Sequence, residues 1–222
     1  MRLALFDLDH TLIPLDSDYA WGEFTVRLGW RDAEDFRRAN DGYYADYKAG
    51  TLDIHDYVRF ATGAVRERGL AEGLRAHERF MAEVIRPAMT EAARALVRRH
   101  QDAGDTVLIV TATNAFVTRP IAQAFGVEQL IAIDLATDPS GELTGAIAGV
   151  PSFREGKVAR VEQWLADRGL RWSDLAHSTF YSDSMNDLPL LEKVDEPVAT
   201  NPDQRLATLA KQRGWRILNL FE

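Results

Sequence analysis

The chain opens on Leu3-Ala4-Leu5-Phe6-Asp7-Leu8-Asp9-His10-Thr11-Leu12, and that order of residues narrows the choice of fold sharply. A short apolar run bounded by polar residues reads as a buried strand. Side chains alternate along an extended chain, so Asp7 and Asp9 project to one side where the strand ends, and His10 to the other. Ligands of open α/β sheets bind beyond the carboxyl ends of the strands. Two carboxylates ~4 Å apart repel by roughly 4 kcal/mol at an effective dielectric of about 20. A fold that keeps them together places a cation between them or keeps one protonated. Either solution serves an enzyme: a divalent cation shields an incoming anion, and a protonated Asp9 is a general acid. The alternative reading is a strand that ends in an Asx-rich turn, with Asp9 or Thr11 capping the next segment.

From Pro14 to Pro87 the pattern is helical. Asp16 or Ser17 caps a helix carrying Trp21, Phe24 and Leu28 and closed by Gly29. Further helical stretches run over 32–48, 54–68 and 74–85, the last ended by Pro87. No strand is expected in this part, so 15–87 reads as a helical insertion, a cap, between two parts of a core at 1–14 and 88–222. Its aromatic residues Trp21, Tyr43, Tyr44, Tyr47 and Tyr57 fall at helical spacing. That makes them core by default and pocket walls only as the second reading.

Beyond Thr90 strands and helices alternate. Thr106–Val110 is a β-branched strand ending in Thr111-Ala112-Thr113-Asn114, and a helix follows to Phe125 with Pro120 marking a turn or kink. Further strands are expected at Leu130–Ile133, Thr179–Tyr181, Pro197–Ala199 and Trp215–Leu218, with a hairpin over 135–147 turning at Asp138-Pro139-Ser140-Gly141. Helices are expected over 155–168, 188–194 and 203–213. The fold class is therefore α/β, with a doubly wound, mostly parallel sheet and an inserted α-helical domain.

At 222 residues and 46% apolar, the chain can build one large domain or two small ones around a real core. A formal net charge of −8 argues against nucleic acid or an anionic membrane as partner. It does not argue against a phosphate substrate, because a metal and one lysine reverse the local field. With no cysteine there is no disulfide, zinc thiolate or thiol nucleophile. No apolar stretch is long enough to span a membrane, and nothing resembles a signal peptide; the cytoplasm is the expected location. Oligomeric state is not encoded legibly.

Polar groups stand at or beside the strand ends in a fixed order: Asp7-x-Asp9-x-Thr11, a hydrophobic run into Thr111, Lys157 in the first turn of a helix, and Ser182-Asp183-Ser184-x-Asn186-Asp187. Singly each has an ordinary explanation: Thr111 as a helix cap, Lys157 as one lysine among many, Asp183 and Asp187 as acids complementing a helix dipole. Together they resemble the four signatures of the haloacid dehalogenase (HAD) superfamily, over Leu3 to about Pro202. The helical insertion between the first and second signatures is similar to the phosphoserine-phosphatase-like subfamily IB, some of whose members are histidinol-phosphate phosphatases. Asp16-Ser17, Leu143-Thr144-Gly145 and Val198-Ala199-Thr200-Asn201-Pro202-Asp203 are similar to that branch.

The resemblance implies a HAD-type Rossmannoid core and a Mg²⁺-dependent phosphomonoesterase acting on a small phosphorylated metabolite. Asp7 is then the nucleophile and Asp9 the acid/base. Mg²⁺ is held by Asp7, the backbone carbonyl of Asp9 and Asp183, with Asp187 holding a metal-bound water. Thr111 and Lys157 bind phosphoryl oxygens, helped by the amides of Ala112 and Thr113. Thr11 belongs to the same phosphate-binding set, Asn186 orients phosphate or Lys157, and Asp16 meets the substrate. Phosphoserine enzymes carry a Glu early in the cap and an Arg deeper in it; here the early position is Asp16, with Glu23 nearby, and Arg59 is the candidate by location. Thr111-Ala112-Thr113 departs from the Ser-Gly-Gly usual for phosphoserine and counts against that substrate; the aromatic cap residues, in their second reading as pocket walls, would suit a flatter or cationic one such as histidinol phosphate, and both esters stay candidates. Competing readings are a phosphotransferase using the same phospho-Asp7 and a receiver-like signalling module. Asp9 and the large helical insertion weigh against the receiver.

Overall fold

The structure, a computed structural model, describes residues 1–221. Its centre is a six-stranded parallel sheet in the order β3-β2-β1-β6-β7-β8. The strands are β1 (Arg2–Phe6), β2 (Thr106–Asn114), β3 (Gln129–Ile133), β6 (His177–Ser182), β7 (Glu196–Thr200) and β8 (Arg216–Leu218). A separate antiparallel hairpin pairs β4 (Leu135–Thr137) with β5 (Leu143–Ile147).

Alternation along the strands divides the core. Ala4, Phe6, Val107, Ile109 and Tyr181 face one apolar cluster. Leu3, Leu5, Leu108, Val110 and Phe180 face the other. Both faces are dry, which is why these strands read as continuous apolar runs. On the first face lie α1 (Ser17–Arg27), α7 (Glu91–Asp102) and α8 (Ala115–Ala124); on the second lie α9 (Glu155–Ala166), α10 (Leu188–Leu191) and α11 (Gln204–Arg213).

Between β1 and β2 the chain is helical, as expected: α1, then α2 (Ala33–Ala49), α3 (Ile54–Ala61), α4 (Gly63–Arg68), α5 (Leu70–Phe80) and the single turn α6 (Arg86–Ala88). Trp21 and Phe24 of α1 and Phe80 of α5 share the apolar cluster that contains Phe6. In α2, by contrast, only Phe36 and Asn40 are buried. Phe36 stacks on Phe60 of α3 with ring centroids 5.4 Å apart. It fits because position 22 of α1 is glycine: a Cβ there would come within 2.1 Å of the Phe36 ring.

Some expected boundaries move. The stretch 54–68 breaks at Thr62, whose hydroxyl donates to the Val58 carbonyl (2.7 Å) and competes with the helical ladder. The stretch expected from Leu74 starts at Leu70, after Gly69 in a left-handed conformation (φ 85°). It runs on through a π-helical turn, Met81–Ile85, into α6, so Pro87 sits inside the last turn instead of ending the helix before it. Pro120 is likewise carried within α8. Among the described residues no helix is long and apolar enough to cross a membrane.

Candidate active site

β1 lies between β2 and β6; Asp7 and Asp183 directly follow the last residues of β1 and β6, while Thr111 stands within β2, two residues beyond Ile109, the partner of Phe6. The chain leaves β1 at Phe6, and the Asp7 amide donates to the Tyr181 carbonyl (2.9 Å), continuing the sheet edge by one bond. Leu8 then turns the loop: its carbonyl accepts from the amides of Thr11, Leu12 and Ile13. His10 therefore is not on a strand, as its expected orientation required, but in the left-handed region at φ 55°, and it borders the same cavity as Asp7 and Asp9.

Lys157 enters from the crossover between β5 and β6, three residues into α9. Its ammonium lies 2.8 Å from Asp7 Oδ1 and 2.7 Å from Asp187 Oδ2, and the residue is 2% exposed. Glycine at 156 allows that turn to close: a Cβ there would meet the Pro151 carbonyl oxygen at 2.0 Å. Burial by itself would lower the Lys157 pKa, but the Asp187 and Asp7 carboxylates outweigh it and hold it raised. Asp187 is held further by the Ser182 hydroxyl (2.7 Å); burial pushes it up to about 6 against the pull of Lys157.

The Thr11 hydroxyl lies 3.4 Å from both Asp7 Oδ2 and Asp183 Oδ1 and accepts from the Asp183 amide (3.1 Å). Thr11 is fully buried and does not border the cavity. Asp183 has no cationic side chain within ion-pair distance among the described residues. Burial, then Asp7 and Asp187, raise its pKa far above the ordinary carboxylate range. So Lys157 pairs with Asp7 and Asp187, and Asp183 beside them is left without a cation to favour its ionised form. No three His, Cys, Asp or Glu side chains gather as a ready cation site among the described residues. Asp7 and Asp183 nevertheless offer hard oxygen donors where charge is in deficit, a set that suits Mg²⁺ when backbone, water and substrate oxygens complete it.

Asp9 points elsewhere. Its Oδ1 accepts from the Ser17 amide (2.9 Å) and its Oδ2 from the Thr113 hydroxyl (2.8 Å). Burial, reinforced by the charge of Asp16, raises its pKa to about 6. Asp16 caps α1, its Oδ1 accepting from the amides of Asp18 (3.0 Å) and Tyr19 (2.9 Å). Thr111 accepts the Thr113 amide at its own hydroxyl (3.1 Å), and its carbonyl accepts from the buried Ser152 hydroxyl (2.6 Å).

These groups open onto a cavity of about 580 Å³ bordered by Asp7, Asp9, Asp16, Thr111, Ala112, Thr113, Asp183 and Asn186. Its far wall is the insertion: Asn40, Tyr43, Tyr44 and Tyr47 of α2 recur at helical spacing on one face, joined by Ile54 and Tyr57 of α3. Of the aromatic residues singled out in the sequence, only Trp21 is core. The Tyr47 hydroxyl approaches Ser184 Oγ (3.3 Å), and the Asn186 amide donates to the Tyr47 carbonyl (3.2 Å) instead of reaching Lys157. Arg59 pairs with Asp56 (2.7 Å) and Glu23 with Arg37 (3.1 Å), all facing solvent and away from the cavity.

Residues 4–192 match the haloacid dehalogenase-like hydrolases. The chain belongs to that family. A histidinol-phosphatase of Neisseria meningitidis is 43% identical over 98% of each chain. The phosphoserine phosphatase SerB1 of Mycobacterium tuberculosis is 32% identical, over 96% of this chain and 69% of its own. A crystal structure of a protein of unknown function from Bordetella pertussis Tohama I superposes with a TM-score of 0.94 at 52% identity, covering 99% of both chains.

In this HAD hydrolase several site residues escaped the sequence reading. Ser152 carries no local signal. Asn40 sits in a polar stretch of α2 that reads as solvent-facing. Asn201, at φ 47°, ties down the Asp9 loop by donating to the carbonyls of His10 (2.9 Å) and Thr11 (3.2 Å), and accepts from the Leu220 amide (2.6 Å). Its signal was present, within the Val198–Asp203 stretch.

Proposed function

We propose that this phosphatase hydrolyses the phosphate monoester of histidinol, and that the carboxylates at the carboxyl end of β1 do the chemistry. The observation that carries the reading is one cavity with two unlike walls. On one side Asp7 and Asp9 stand with Thr111, Ala112 and Thr113; on the other Asn40 and the tyrosines of α2 and α3 surround the space a leaving group needs. The name of the Neisseria relative agrees with a flat, cationic leaving group. In this proposal residues 15–87 are the cap and 1–14 with 88–222 the catalytic core, and closure of α2 and α3 excludes water from the reacting centre.

Asp7 attacks phosphorus, and the bond to the leaving oxygen breaks as the acyl phosphate forms. Asp9 gives its proton to that oxygen, then takes one from the water that hydrolyses the intermediate, releasing phosphate, freeing the Asp7 carboxylate and returning Asp9 to its protonated form. Lys157 holds Asp7 ionised and oriented and adds positive charge for the phosphoryl oxygens, with the Thr111 hydroxyl and the amides of Ala112 and Thr113 as donors. Asp7, Asp183 and the Asp9 carbonyl would hold Mg²⁺, with Asp187 supporting a bound water; the ion supplies positive charge that lets a phosphate dianion approach the carboxylates. Thr11 and Asn186 are positioning residues in this scheme, and Asp16 faces the amine of the substrate.

Phosphoserine is the second reading, favoured by the name of the Mycobacterium relative. A panel of histidinol phosphate, phosphoserine, sugar phosphates, nucleotides and p-nitrophenyl phosphate, assayed with Mg²⁺ and with EDTA, tests both. Expected is EDTA-sensitive turnover of histidinol phosphate far above the generic ester. A preference for phosphoserine would replace the substrate. Product analysis with added alcohols separates hydrolysis from phosphotransfer.

A further inference from the structure

Among the described residues, three that are not glycine have positive φ: His10, Arg154 and Asn201. His10 and Asn201 account for each other, since the Asn201 side-chain amide holds the His10 carbonyl (2.9 Å) in the Asp9 loop. Arg154 stands apart, in the turn just before α9. Its φ of 53° and ψ of −122° fit the first central position of a mirror-image turn, closed where the Gly156 amide donates to the Phe153 carbonyl (2.9 Å). That position favours glycine, and a long side chain stays there only where its surroundings hold it.

What holds it comes from the helical insertion. The Arg154 guanidinium donates to the carbonyl of Gly50, the residue that ends α2 in a left-handed conformation (φ 77°). A Cβ at position 50 would come within 2.5 Å of Arg154 Nη2, so glycine there also lets the guanidinium reach the backbone. A cation at the carboxyl end of a helix meets the negative end of its dipole. Beside this contact the Tyr47 ring lies against Phe153, with centroids 6.2 Å apart, and the Tyr47 carbonyl accepts from the Asn186 side chain (3.2 Å). The end of α2 is thus gripped by two loops of the core. One leads into Lys157, and the other carries Asp183 and Asp187.

We propose that Arg154 is a positioning residue, a latch that holds the insertion closed over the active site through the Gly50 carbonyl at the end of α2. The role rests on the reading of 15–87 as a cap and not on which ester is hydrolysed. Without the latch the closed form is less populated, and apparent substrate affinity falls with it.

The chain has no cysteine, so a pair of labels can be placed without background. Ala45→Cys on α2 and Ala159→Cys on α9, both exposed positions, carry nitroxides whose separation pulsed dipolar spectroscopy reads in the free protein. Arg154→Gly removes the side chain and relieves the turn, whereas Arg154→Met removes the charge and keeps the strained backbone. Expected is a short, narrow distance with Arg154 in place and a longer or broader one in both variants. In both, KM for the best ester of the panel should rise roughly 10-fold, the worth of one hydrogen bond to a charged group, with kcat held within about twofold. Arg154→Gly should have the higher thermal midpoint of the two, so the loss of closure is separable from a loss of stability. An unchanged distance in either folded variant overturns the latch, whatever happens to turnover. A fall in kcat with KM unchanged also overturns it, because Arg154 would then act through its turn on Lys157. Should wild type hydrolyse no ester, the proposed function fails while the distance still decides the latch.

Discussion

Lys157 Nζ and Asp7 Oδ1 lie 2.8 Å apart although 150 residues separate them in the chain. The same ammonium serves Asp187 at 2.7 Å, so one buried cation compensates two carboxylates. Removing one member of a buried ion pair leaves the other charge unpaired, at a cost of about 3–5 kcal/mol. Lys157→Met should therefore lower unfolding stability by about that amount in urea titrations. It should also reduce turnover by on the order of 10²–10³-fold, through lost charge at the phosphoryl oxygens. Adding Asp7→Asn to Lys157→Met should recover part of the stability and none of the activity. A double variant no more stable than the single one would show that the pair does not couple.

Asp7→Asn alone separates the chemistry from the fold. The amide keeps the size and shape of the carboxylate but cannot form an acyl phosphate. Turnover should fall at least roughly 10³-fold, with far-ultraviolet circular dichroism unchanged and no phosphoenzyme trapped in quench experiments. Retained turnover would remove Asp7 as nucleophile.

Thr113 gives a handle on Asp9. Its hydroxyl donates to Asp9 Oδ2 at 2.8 Å and so favours the ionised carboxylate, while burial and then Asp16 push the pKa up to about 6. Thr113→Val removes the donor, so the charged form loses support and the pKa rises further. A general acid must start protonated, and turnover falls as pH rises through its pKa. The alkaline limb of the kcat profile should then move upward by roughly one unit, the worth of a hydrogen bond to a charged group. A limb that stays in place would detach it from Asp9.

The parts of this site that the sequence revealed are those set by local geometry. Period-two alternation across Leu3–Phe6 and Thr106–Val110 encodes which residues face each layer, and Asp7 and Asp183 stand where the strands before them end; Thr111 is level with them, but β2 runs on to Asn114 past a register shift after Val110. His10 was misplaced because the strand was extended past its end: β1 stops at Phe6, and Leu8 turns the chain. The stripe of α2 shows a subtler limit. Helical periodicity reports that Asn40, Tyr43, Tyr44 and Tyr47 share a face, but a core and a cavity demand the same spacing. Only the packing of α2 beyond the main apolar cluster decides for the cavity. Lys157 lay between these extremes. Its position in a first turn was legible, while its two carboxylate partners depend on the crossover closing tightly at Gly156.

His77 links the insertion to the stability of the whole molecule. It is 3% exposed and packed against Trp21, Phe80 and Phe116, with centroids 5.4, 5.5 and 5.3 Å away, and Nε2–H donates to the Val117 carbonyl at 3.0 Å. Burial disfavours the imidazolium and lowers the pKa from 6.5 to about 4, although the Val117 carbonyl pulls the other way. Between those values the unfolded chain binds a proton that the folded protein refuses. The contribution of His77 is therefore complete above pH about 6.5 and lost as pH falls toward 4, amounting to about 3 kcal/mol in all. The buried carboxylates have the opposite sign: the raised pKa values of Asp9, Asp183 and Asp187 favour the folded state as pH falls. Comparing wild type with His77→Gln at matched pH isolates the histidine, because the carboxylates are common to both. Urea titrations should find His77→Gln less stable at pH 7, where its amide replaces the ring imperfectly, with the gap closing or reversing by pH 4.5. A gap that stays constant across that range would mean that His77 is protonated as readily in the folded protein as in the unfolded chain.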